Sequence, residues 1–191
     1  MKRTLLVMMI ALASATVHAA EIEGVKLDDR LALTPGGPQL VLNGAGKRTR
    51  FFFDVYVAGL YLTEKKSAAA DAIALPGPKR VSMTLLRDLT AKQLVDALNE
   101  GMQANNSPAE LEALKAQITE LTAIMSAIGQ AKKGDVVALD FLPESGTRIL
   151  LNGAERGQNI PGAELYRALL RVWLGDKPVQ DNLKKALLGQ R

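Results

Sequence analysis

The chain has no cysteine and a single histidine, His18, so thiol nucleophiles and Cys- or His-based zinc and haem sites have almost nothing to stand on. Aromatic residues make up only 4% of the 191 residues. One long apolar run occurs, Leu5 to Ala13, and it is too short for a membrane span of about 20 residues. Lys2 and Arg3 precede that run, and Val17-His18-Ala19 follows it with small residues where a signal peptidase reads. Residues 1–19 are therefore read as a secretory signal peptide, cut after Ala19 and leaving one domain over 20–191. With no cysteine after the cut, a lipoprotein anchor is excluded. The expected location is periplasmic or secreted, periplasmic in a Gram-negative host.

Cleavage takes His18 away, so the processed chain has neither His nor Cys. Proton transfer would then fall to Asp, Glu, Lys, Tyr or a bound water. Cleavage also removes Lys2 and Arg3 but no acid, which lowers the net charge from +4 to +2. A charge that small, spread along the chain, argues against nucleic acid and for ordinary surface lysines and arginines. The remaining 172 residues suffice for one core, burying roughly 70% of the unfolded surface without disulfides. No metal or cofactor motif stands out. Gly44-Ala-Gly46 lacks the further glycine of a dinucleotide site and the Gly-Lys-Ser/Thr of a phosphate loop. Asp28-Asp29 and the Asp135, Asp140 and Glu144 group read as solvated acids at strand ends and turns.

What is present concentrates in Asn43–Leu62, which holds five of the eight aromatics: Phe51, Phe52, Phe53, Tyr56 and Tyr61. Short strands are expected at Glu21–Lys26, Leu31–Leu33 and Gln39–Leu42, with a hairpin turn at Asn43-Gly44 and a strand over Phe51–Leu62. Ser67–Ala74 reads as a short helix or loop, and Lys79–Arg87 alternates as a half-buried strand. Thr90 caps a helix with Leu94, Leu98 and Met102 on one face. Ser107, Pro108 and Glu110 form a capping box that opens a second helix. Its stripe Leu111, Leu114, Ile118, Leu121, Met125 and Ile128 reads as continuous. Strands Asp135–Leu142 and Thr147–Leu151 flank the turn 143–146, and Asn152-Gly153 begins another hairpin turn. Helices starting at Pro161 and Pro178 close the chain. The pattern is α+β, with helices covering one face of a mostly antiparallel sheet.

Arg48 has the planar fork that recognises a carboxylate, enolate or phosphate. Tyr56 adds a phenol eight residues on, and even separations share a strand face. Two readings stand at this point: a ligand-binding pair, or a charged opening to a core strand.

The segment Gly44-Ala-Gly-Lys-Arg48, leading to Gly59-Leu-Tyr-Leu62, resembles the start of the chalcone isomerase fold. Gly146 to Gly189, with Leu174-Gly175 and Pro178, is similar to bacterial chalcone-isomerase-like proteins. The resemblance spans residues 22–189 and implies an open-faced β-sandwich with a cleft between a large antiparallel sheet and a helical layer. In the isomerases an arginine orients the substrate anion, and a threonine and a tyrosine hold a water on the enolate. An asparagine and a Ser/Thr line the other end. Carried over, the arginine is Arg48, the threonine position is Tyr56 and the tyrosine position is Leu89. The asparagine position is Asp96 and the Ser/Thr position Val172. Four of these five polar positions differ. The resemblance therefore implies the non-catalytic branch, in which an arginine and a tyrosine hold a fatty acid's carboxylate. The expected ligand site is Arg48, Tyr56, Phe52, Leu89 and Val172, taking a fatty acid or similar anionic amphiphile without a cofactor. The alternatives are an intramolecular lyase acting on an enone, with Arg48 its one retained catalytic group, and an envelope protein-interaction module.

Overall fold

The computed structural model describes residues 20–190; the expected signal peptide lies outside them. The chain opens with β1 (Ala20–Ile22), β2 (Val25–Leu27) and β3 (Arg30–Ala32), then β4 (Gln39–Arg50) and β5 (Phe53–Leu62). After α1 (Ala69–Ala74) come β6 (Lys79–Leu85), β7 (Leu89–Thr90), α2 (Ala91–Asn105), α3 (Pro108–Ala113) and α4 (Lys115–Ser126). Next are β8 (Gln130–Ala131), β9 (Val136–Leu142), β10 (Gly146–Leu151) and β11 (Ala154–Ile160). Helices α5 (Ala163–Leu174) and α6 (Asp181–Leu187) end the fold. Seven strands form one antiparallel sheet in the order β11-β10-β9-β6-β5-β4-β3. The architecture is α+β, as the sequence pattern requires.

Alternation along the strands sorts the sheet into two faces. Ala58, Leu60, Val81, Met83, Val137, Leu139 and Ile149 point to the main core, where α5 lies against them with eight buried residues. Tyr166 of α5 is buried, and its hydroxyl donates to the Leu139 carbonyl at 2.8 Å. On the other face Leu40, Leu42, Val57 and Tyr61 form a smaller core with Leu27, covered by the β1–β2 hairpin.

Both capping boxes form. The Thr90 hydroxyl accepts from the Gln93 amide and the Gln93 side chain accepts from the Thr90 amide; Ser107 and Glu110 do the same at α3. The expected single second helix is two, because Leu114 takes φ −96°, ψ 5° and turns the chain. Leu114, Leu121 and Met125 reach the core, whereas Leu111, Ile118 and Ile128 are half-buried. The last helix starts at Asp181, later than Pro178, because Gln180 is extended and its side chain accepts from the Thr49 amide at 2.9 Å.

Two expectations fail, one at β4 and one at β9. Asn43-Gly44 is not a hairpin turn: β4 runs unbroken from Gln39 to Arg50, and the turn lies at Phe51-Phe52. The pairing of β4 with β5 shifts between Leu42 and Gly44, leaving Asn43 as the extra residue of a bulge. Asn43 is buried, donating to Leu187 O at 2.7 Å and Lys66 O at 2.9 Å while accepting from Lys66 N at 2.6 Å. The carboxylate Asp140 is not solvated but fully buried.

Lys79, at the start of β6, is also buried, its Nζ 5.2 Å from the Phe141 ring centre. Burial, with repulsion from Arg167, lowers its pKa from 10.5 to about 8. A base with a depressed folded pKa carries a full penalty while protonated, below about 8. That penalty fades as pH rises toward the unfolded 10.5, so this group makes the fold more stable with rising pH in that window. Lys79→Met is expected to stabilise the protein at neutral pH by on the order of 1 kcal/mol. The variant should also lose the alkaline rise. Urea unfolding on both sides of the window checks this; equal midpoints for the two chains at neutral pH would refute it.

Candidate functional site

The bulge at Asn43 decides where Arg48 points. Leu40 and Leu42 face the smaller core, so without the extra residue every even-numbered position of β4 would follow them. Past the bulge, Gly44, Gly46 and Arg48 instead pair with Leu60, Ala58 and Tyr56, on the helix-covered face. Arg48 and Tyr56 therefore converge as direct cross-strand partners on β4 and β5, not as residues of one strand.

Helix α6 lies over this stretch because two glycines let it approach. A Cβ on Gly44 would strike the carbonyl of Ala186 and come within 2.8 Å of that of Leu187. One on Gly46 would meet the Ala186 methyl at 2.7 Å. The segment leading into α6 is thereby held against the end of β4. Arg48 Nη1 donates to the Val179 carbonyl and lies 3.5 Å from Gln180 Oε1. Among the described residues no carboxylate pairs with Arg48.

Tyr56 is buried beneath it. Trp173 Nε1 donates to the Tyr56 hydroxyl at 3.0 Å. Burial raises the phenol's pKa, against smaller lowering effects of the Trp173 bond and the Arg48 charge, so the hydroxyl stays protonated well into the alkaline range. With its oxygen occupied by Trp173, its proton remains to be donated.

These groups line a cleft of about 500 Å³ between the end of the sheet and α2. Arg48, Tyr56, Leu89 and Asp96 all contribute to its wall, together with Leu94, Ala97 and Gly101. Asp96 is bound by Lys92 at 2.6 Å. Four basic side chains, Arg48, Arg50, Arg87 and Lys177, face two acidic ones, Asp96 and Glu100, which favours an anion. The volume falls in the range of small-molecule sites.

Two expected residues lie elsewhere. Phe52 sits at the tip of the β4–β5 turn, 97% exposed and outside the cleft wall; its neighbours Phe51 and Phe53 line the mouth. Val172 is buried behind the wall, packed where a Cβ on Gly101 would meet it at 2.6 Å. The residue of α5 that reaches Tyr56 is Trp173, which sequence reasoning passed over. Its one signal was being the sole tryptophan, and 117 residues separate it from its partner. Arg87 and Lys177 were likewise invisible as site residues.

A family model described as chalcone isomerase-like matches residues 19–189. Among solved structures, the fold is similar to that of an Arabidopsis thaliana fatty-acid binding protein. The TM-score is 0.67 at 13% identity, over 90% of this chain and 96% of that one. At that identity the likeness is one of fold. No curated protein matches the sequence.

Proposed function

The chain belongs to the chalcone isomerase-like family, and on that premise we propose that its cleft binds a small anionic amphiphile, a fatty acid or a close relative, without converting it. The observation that carries this reading is the Arg48–Tyr56 pair. A guanidinium with no acidic partner among the described residues and a protonated phenol meet on one wall of the cleft. Together they offer a carboxylate one charged and one neutral donor. Leu89, Leu94, Val55 and Ala97 supply apolar wall for a chain. The likeness to a fatty-acid binding protein supports the same ligand class.

An isomerase needs donors aimed at a developing enolate. Leu89 supplies none, and Val172 is buried behind the wall. Tyr56, kept protonated by burial, is no base near neutral pH. We further propose that the protein acts outside the cytoplasm, on the strength of the leader read in residues 1–19. An amino terminus at Ala20, found by mass spectrometry of a periplasmic extract, is the expected result.

Delipidated protein titrated with a fluorescent fatty acid is expected to bind saturably. Loss of a charge-assisted bond in Arg48→Ala should weaken binding about 10- to 100-fold. Arg48→Lys should recover only part, having charge without the fork. Tyr56→Phe should cost about 3- to 10-fold. Absence of saturable binding, or equal binding by Arg48→Ala, would remove the proposal. Loss of chalcone's visible absorbance on incubation with the protein would favour catalysis instead.

A further inference from the structure

The exposed large apolar side chains among the described residues are three consecutive phenylalanines: Phe51, Phe52 and Phe53, 84%, 97% and 59% exposed. They form the tip of the β4–β5 hairpin, which turns in two residues. Phe51 has φ 57°, a left-handed conformation that glycine or asparagine adopts at less cost than an aromatic residue. Stability alone does not account for that residue there, and an observed backbone outlier of this kind points to function. Two guanidiniums stand at the base of the tip. Arg50 lies 6.0 Å from the Phe51 ring centre and Arg87 lies 4.8 Å from that of Phe53. Neither pairs with a carboxylate among the described residues.

We propose that this tip docks the protein onto an anionic lipid surface, the rings entering the boundary between headgroups and acyl chains while Arg50 and Arg87 meet phosphates. Apolar rings with cations immediately behind them match the layering of such a surface. The area argues against a protein occupant. Three phenylalanine rings offer at most about 500 Å², short of the roughly 800 Å² per partner of a stable protein interface. Among the described residues no helix is long and apolar enough to cross a membrane. Phe51, Phe53, Arg50 and Arg87 also line the mouth of the cleft, so docking brings that mouth to the lipid.

Vesicles of phosphatidylcholine, with and without phosphatidylglycerol, test this in the absence of fatty acid. In Phe52→Trp the new indole should be quenched by brominated acyl chains, after subtraction of the Trp173 signal of the unsubstituted protein. Because quenching is read at position 52, attachment through another segment does not mimic it. Phe52→Ser should lower the vesicle-bound fraction about tenfold or more, and Arg50→Ala/Arg87→Ala should abolish the preference for phosphatidylglycerol. Phe52 is outside the cleft wall, so Phe52→Ser should bind free fatty acid as before. Arg48→Ala should show the reverse, weaker ligand binding with vesicle binding kept, which separates this proposal from that of the cleft. Unquenched indole overturns the inference, as does vesicle binding unaltered by Phe52→Ser. So does a concentration-dependent dimer that Phe52→Ser dissociates, which would make a second copy the occupant.

Discussion

Asp140→Ala is expected to destabilise the fold by roughly 3–5 kcal/mol, since it breaks a buried ion pair from one side. Asp140 is 0% exposed and stands on β9 between two cross-strand arginines, Arg80 on β6 and Arg148 on β10. Arg80 grips it with two bonds, at 2.6 and 2.8 Å. Arg148 approaches at 2.8 and 3.3 Å, and also donates to Glu155 at 2.8 Å and to the Leu33 carbonyl at 2.7 Å. Removing the carboxylate leaves two guanidiniums side by side, repelling each other; the two Arg80 donors lose their partner, while Arg148 keeps Glu155 and the Leu33 carbonyl. Asp140→Asn keeps the shape but loses the charge, and should cost nearly as much. Replacing Arg80, Asp140 and Arg148 together by Met, Leu and Met should cost far less than Asp140→Ala, since no charge is then stranded. Urea midpoints at unchanged slope measure each. If Asp140→Ala shifted stability by less than about 1 kcal/mol, the burial of this pair would carry no such penalty.

Gly44→Ala is the second large effect. One methyl is added on an internal strand position where any residue would ordinarily be accepted. Here it meets the carbonyls of Ala186 and Leu187 and the amide of Gly189, the last at 2.9 Å. Backbone cannot rotate aside as a side chain does, so α6 must lift or β4 must bend. A loss of roughly 3 kcal/mol is expected, at the upper end for overpacking. Gly46→Ala meets the Ala186 methyl and Leu183 Cδ1, which are side-chain atoms, and should cost less. The effect reaches the cleft, because the lead-in to α6 supplies the Val179 carbonyl and the Gln180 side-chain oxygen, which accept from Arg48 and the Thr49 amide. Fatty-acid affinity should therefore fall along with the urea midpoint. Full affinity in a destabilised Gly44→Ala would show that α6 does not position Arg48.

Much of the cleft is legible in the sequence. Arg48, Tyr56, Leu89 and Asp96 could be assigned from the resemblance, and all four line it. Phe52 and Val172 were expected there and lie outside its wall, for different reasons. A block of aromatics beside a strand reads as core, and only the position of the hairpin turn puts it in solvent. Along α5 adjacent residues face about 100° apart, so a register uncertainty of one residue exchanges Val172 for Trp173.

Local chemistry is what the sequence by itself determined. The Thr90 and Ser107 caps need only a hydroxyl and a Gln or Glu three residues on, and both formed. The turn at Asn152-Gly153 needs two positive φ angles, and they are 53° and 77°. The lack of Cys and His after residue 18 follows from counting. The tetrapeptide Leu-Asn-Gly-Ala marks the boundary of such reasoning, because it occurs twice. At Leu151 it makes the hairpin between β10 and β11. At Leu42 it makes a bulge inside a continuous strand, because Lys66 and Leu187 satisfy the Asn43 side chain and α6 occupies the space above Gly44. Those partners lie 23 and 144 residues away, beyond any local pattern. That bulge moves Arg48 from the far face of the sheet to the cleft, so the residue on which the proposed function rests was present in the sequence, but its direction was set by tertiary packing.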